Sequence, residues 1–178
     1  IEVLAKSKEH EVPITLRFQE LRDEQMQPAH GELPFFLQEN TVIQFLQYPY
    51  EQVVAENFVE ILEKMELIND LSCYEEIYGI LKKEALDGRK VEQQIIEIGT
   101  KRELFFGKDR LDTVLHYKDY TYMKRKWTAY LKRERKKEPD WVEVMTLLEA
   151  FFPPVWRAII RDEIFIGDWM PELARFLG

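Results

Sequence analysis

One cysteine, Cys73, stands in 178 residues, so no disulfide can close within the chain. That scarcity fits a reducing, cytoplasmic setting. Serine is nearly as rare: only Ser7 and Ser72 occur, and neither sits in a Gly-x-Ser-x-Gly turn, which removes the usual hydrolase nucleophile. Glycine is held to 7 residues, and the one Gly-Lys pair, Gly107-Lys108, lacks the upstream glycine and the following Ser or Thr of a phosphate loop. No dinucleotide fingerprint is present, and no cofactor is expected. No apolar run approaches the ~18 residues needed to cross a bilayer, so no membrane partner is expected. No basic-then-apolar leader opens the chain. The chain starts at Ile1 rather than Met, which leaves room for an upstream region.

What is plentiful is apolar and charged surface together. Hydrophobic residues make up 46% and charged residues 33%, enough for a packed core under a well-solvated exterior. With so few glycines, helices are favoured over turn-rich β architecture. Charge is unevenly placed. Residues 100–138 carry 13 Lys+Arg against 6 Asp+Glu, a net of +7. The other 139 residues carry 12 against 27, a net of −15, and the whole chain sums to −8. A basic segment on an acidic body follows.

The periodicity changes near residue 37. Before it, Val12, Ile14, Leu16 and Phe18 alternate with Pro13, Thr15 and Arg17, which predicts a strand. Residues 1–4 would pair with it across a turn at 7–10. A helix begun by Pro13 is the alternative. Residues 25–34 carry Pro28, Gly31 and Pro34 and read as a connection. The spacing then predicts a short helix over 42–47 capped by Asn40, a four-turn helix from Tyr50 to Met65, and another from Leu71 to Leu81. Asp87-Gly88 would end that one as a glycine cap. Val91, Ile95, Ile96 and Ile98 begin a third. A basic helix follows over 119–137, and then a helix from Trp141 capped by Asp140. Pro153-Pro154 would interrupt it and start a new one over 155–166, ended by Gly167. Residues 169–177 would close the chain as a short helix. The expected fold is mainly α: a single bundle of six to eight helices over 37–178, with a small β-ribbon in an appendage over 1–36.

The most distinctive stretch is the basic helix. Tyr120, Met123, Trp127, Tyr130 and Leu131 share one face at ~3.6 residues per turn. Lys124, Arg125, Lys132, Arg133, Lys136 and Lys137 point mostly elsewhere. Such a face can meet an acidic protein, a second copy of the chain or, as the alternative, the phosphates of a nucleic acid, with Tyr117 or Tyr122 stacking on a base. The plain reading is a solvated face partly neutralised by the acidic body.

Other constellations are weaker. Asp112, His116 and Asp119 stand at i, i+4 and i+7 and would share a helix face, a geometry that can hold a divalent cation. No ligand from a second helix accompanies them, and no metal site is assigned. An enzyme would need a site assembled from dispersed residues such as His116, Asp119 and Tyr120. His10 and His30 read as surface residues, and Cys73 reads as a buried thiol. The aromatic-rich C-terminal segment should fill the core, while Trp156, Phe165 or Trp169 would serve as exposed anchors if any of it faces a partner. The functional expectation is a non-catalytic adaptor or regulatory subunit that recognises a protein partner or itself. The alternative is a nucleic-acid-binding protein using 119–137.

Overall fold

The structure, a computed structural model, describes residues 2–7, 10–15, 29–34 and 42–178. The chain divides into two compact units, 1–46 and 47–178.

In the first unit, β1 (Glu2–Ser7) and β2 (His10–Thr15) pair antiparallel, from Glu2 opposite Thr15 to Ser7 opposite His10. This is the expected ribbon with longer strands, since Ser7 and His10, expected in the turn, are paired with each other; the continuation of the second strand to Phe18 lies outside the described residues. A second pair joins β3 (Ala29–Pro34) to β4 (Val42–Gln47). Both strands depart from expectation. Residues 29–34 are extended and paired rather than a mere connection, with Pro34 at the strand's end, where the missing N–H disturbs the ladder least. Residues 42–47 form a strand instead of a short helix. Six residues are too few to sustain an isolated helix, and Val42, Ile43 and Phe45 favour the pleated state. The expected cap Asn40 lies outside the described residues.

The second unit is helical. Its elements are α1 (Tyr50–Lys64), α2 (Ser72–Leu81), α3 (Gly88–Lys101), α4 (Lys108–His116), α5 (Thr121–Arg133) and α6 (Trp141–Arg161). A three-stranded antiparallel sheet of β5 (Leu86–Asp87), β6 (Asp168–Met170) and β7 (Arg175–Leu177) completes it. The molecule is therefore mainly α, with six α-helices and small β elements among the described residues.

Three boundaries differ from the sequence reading, each for a physical reason. Asp87 starts α3 rather than ending α2: its carboxylate accepts from the backbone N–H of Arg89 at 3.0 Å and of Lys90 at 3.2 Å. Gly88 serves close packing there, because a Cβ would stand 2.5 Å from the carbonyl oxygen of Gly167. The pair Pro153-Pro154 lies inside α6 without ending it. The carbonyls that lose an N–H partner belong to Glu149 and Ala150, both on the exposed side, while Phe151, Phe152, Val155 and Trp156 are buried. The helix ends at Asp162, which adopts the left-handed conformation at φ 54°. Finally, 168–177 is a hairpin, not a helix. Trp169 is fully buried and donates its indole N–H to the Leu81 carbonyl at 2.8 Å, which holds β6 against the core.

Aromatic rings pack against one another within that core. Phe58 of α1 stacks on Phe152 of α6 with ring centroids 3.7 Å apart and planes within 5°. Phe151 meets Trp169 edge-on at 5.0 Å. Each such fully buried side chain contributes about 1.5–3 kcal/mol of transfer free energy.

Candidate functional site

The basic helix forms as its spacing requires, but it is shorter than the charge run. Met123, Trp127, Tyr130 and Leu131 of α5 are buried, while Tyr120 just before it is 47% exposed. Lys132 and Arg133 occupy the last turn, where cations complement the helix dipole. The chain then reverses. Arg135 takes a left-handed φ of 57°, its N–H bonds the Lys132 carbonyl at 3.2 Å, and the Lys136 N–H bonds the Leu131 carbonyl at 2.8 Å. This is a Schellman closure, made without glycine. It brings Lys136 and Lys137 back beside the end of α5. Asp140 then caps α6, accepting from the Glu143 N–H at 2.8 Å.

Between α5 and the first turn of α6 lies an open groove of about 540 Å³. Lys124, Lys132, Lys136 and Lys137 rim it. Trp127, Leu131, Trp141 and Val142 supply its apolar lining, and Thr128 and Asp140 complete it. Both indole N–H groups are already spent: Trp127 donates to the Pro139 carbonyl and Trp141 to the Tyr117 carbonyl, each at 2.8 Å. The two tryptophans therefore offer an occupant no free donor.

The six cations singled out from sequence fall into two sets. Lys136 is paired with Glu75 at 2.6 Å, Arg133 with Glu134 at 3.1 Å and Lys124 with Asp119 at 3.7 Å. Glu75 also accepts from the Tyr130 hydroxyl at 2.6 Å. Burial first, and that carboxylate second, hold the Tyr130 phenol well above its ordinary range. Arg125, Lys132 and Lys137 have no ion pair or hydrogen bond from their side chains among the described residues. Lys126, which sequence reasoning left out, is held in place by donating to the backbone carbonyls of Glu66 and Ile68. Two of the three unpaired cations, Lys132 and Lys137, stand on the groove.

The remaining candidates do not converge. α4 ends at His116, so Asp119 lies in the turn beyond it and the shared face of Asp112, His116 and Asp119 is lost. The His116 Nδ1 instead bonds the Asp112 carbonyl at 2.6 Å. Among the described residues, no three His, Cys, Asp or Glu side chains are grouped as a metal would need. Trp156 and Trp169 are core residues at 3% and 0% exposure, and Phe165 is half-buried against Phe176. Their burial removes both tryptophans from any exposed anchor set. Burial also raises the Cys73 thiol far above its ordinary range, which keeps it protonated and unreactive. No helix among the described residues is long and apolar enough to cross a membrane.

Sequence reasoning missed the groove itself. Its cations were named from the charge run, and its far wall, Trp141-Val142, was assigned only to the next helix. The signal that joins them is the break at Glu138-Pro139-Asp140. Comparison with protein-family models, characterised proteins and solved structures finds no match to this chain.

Proposed function

We propose that this chain is a non-catalytic interaction module, an adaptor or regulatory subunit, whose α5 groove recognises an acidic surface of a protein partner. The observation that carries the reading is the pair of unpaired lysines, Lys132 and Lys137, beside an apolar lining. An ammonium group left without a partner on a shaped surface can gain a carboxylate without first breaking an internal bond. The −15 balance of the residues outside 100–138 would steer such a partner towards the basic end. A second copy of the chain is one such partner. A cytoplasmic setting fits the single, buried thiol of Cys73.

Nucleic acid is the second reading, and Tyr120 and Tyr122 favour it. Their rings lie 5.8 Å apart, the Lys126 ammonium stands 5.2 Å from the Tyr122 ring centroid, and each tyrosine is 47% exposed. Yet neither tyrosine lines the groove, and three of the six cations already have carboxylate partners.

The test is fluorescence anisotropy with a labelled oligoglutamate and with single- and double-stranded DNA and RNA of matched charge, at about 50 and 300 mM salt. Light scattering would follow self-association in parallel. The expected result is salt-sensitive micromolar binding of the acidic peptide, lost in a Lys132→Glu/Lys137→Glu double variant. Tighter binding of nucleic acid through those residues would replace this reading with the second. A strict monomer that binds neither probe would overturn both.

A further inference from the structure

We propose that the occupant of the groove is an acidic segment centred on one bulky apolar side chain, which sits on the exposed Val142, next to Trp141, while flanking carboxylates reach Lys132 and Lys137. The inference rests on the interaction reading and narrows its partner. Three features of the groove lead to it. Val142 is 43% exposed at the start of α6, an apolar side chain facing water beside four lysines. The indole N–H groups below are satisfied internally, so a polar group placed there would find no donor. The four lysines share the groove with Asp140, whose carboxylate disfavours an anion placed next to it. A purely acidic strand would use the rim and leave the floor wet; a purely apolar one would leave the ammonium groups unmatched. A segment with an apolar centre and acidic flanks satisfies both.

The same features weigh against a nucleic acid in this groove. Stacking needs an open ring face, and Trp127 and Trp141 are only 1% and 4% exposed. The volume lies within the roughly 300–1,000 Å³ typical of clefts that enclose a small ligand, enough for one large side chain and its neighbours.

The experiment compares two labelled peptides of equal charge, acidic residues flanking a central Phe and the same residues flanking a central Ala. Titration against the whole chain should give the Phe peptide about tenfold tighter binding. That preference should vanish in Val142→Asn, whose fold is checked by its thermal transition. On adding the Phe peptide, the indole N–H signals of Trp127 and Trp141 should shift in NMR spectra of the unmodified chain. This readout stands even if the variant misfolds. Equal affinity for the two peptides, or binding that leaves both indole signals unmoved, would overturn the proposal and leave the broader interaction reading intact. Binding of neither peptide would remove both. A charge-matched oligonucleotide that displaces the Phe peptide and binds more tightly would overturn it in favour of nucleic acid.

Discussion

Glu75 of α2 takes two bonds from the basic end of α5: the Tyr130 hydroxyl and the Lys136 ammonium, both at 2.6 Å. It therefore fixes how much positive charge the groove leaves free, since Lys136 is matched through Glu75 while Lys132 and Lys137 are not. Glu75→Gln keeps the volume and one acceptor oxygen but removes the charge. The pair is partly solvated, with side-chain exposures of 46% for Lys136 and 22% for Glu75, so the loss should be modest, about 0.5–1.5 kcal/mol in urea unfolding. The same substitution should strengthen acidic-peptide binding, because Lys136 becomes available. Stability and affinity moving in opposite directions is the signature to measure. Loss of both would mean that the groove depends on this bridge for its shape. Neighbouring residues in sequence behave differently: Glu76 bonds Asn57 of α1 at 2.8 Å and takes no part in the groove. Which of two adjacent glutamates matters was not legible from Glu75-Glu76 alone, because adjacent positions on a helix point about 100° apart.

Among elements, α6 organises the second unit. It runs 21 residues, contributes Phe151, Phe152 and Trp156 to the core, and lends its first turn to the groove. Two prolines inside it read in sequence as a stop. They are tolerated because one side of the helix faces water at the carbonyls they release. The expected asymmetry is large. Pro153→Ala should change stability by no more than about 1 kcal/mol, the restored hydrogen bond being offset by a less restricted unfolded chain. Phe152→Ala should cost about 3–5 kcal/mol, since it empties a fully buried site stacked on Phe58. Denaturant midpoints of the two variants decide this, and a Pro153→Ala effect as large as that of Phe152→Ala would refute the solvent-side account. Helices α1, α2 and α5 were readable from apolar spacing because each has one clean buried stripe. The strands β4, β6 and β7 were not, since short segments of mixed pattern take their state from what they pair with.

At the scale of the molecule, three tyrosine–carboxylate bonds join separate parts of the second unit. Tyr117 donates to Glu66 at 2.8 Å, Tyr130 to Glu75 at 2.6 Å, and Tyr78 of α2 donates to Glu143 of α6. Burial first, and the accepting carboxylate second, raise all three phenols, Tyr78 to about 12. A phenol raised in the folded state favours folding fully below its unfolded value near pH 10, and that contribution is lost as pH rises through the folded value. Global stability should therefore hold up to about pH 10 and fall above it, the Tyr78 contribution being lost by about pH 12 and those of Tyr117 and Tyr130 at higher pH. Tyr78→Phe should remove part of that slope. Urea unfolding across the alkaline range, with phenolate absorbance followed alongside, measures it; a flat profile would show that these bonds do not bear on folding.

Sequence by itself determined the helical class, the buried faces of the main helices, the Asp140 cap and the segregation of positive charge into 100–138. These follow from local periodicity, capping chemistry and composition, which need no knowledge of the partner segments. Only the tertiary structure decided which lysines are paired, that Arg135 folds the chain back on the end of α5, and that Trp141 and Val142 face those lysines across a groove. Such facts depend on contacts between residues distant in sequence, as Lys136 with Glu75, and a carboxylate's choice among neighbouring cations is settled by geometry and desolvation after the core has packed.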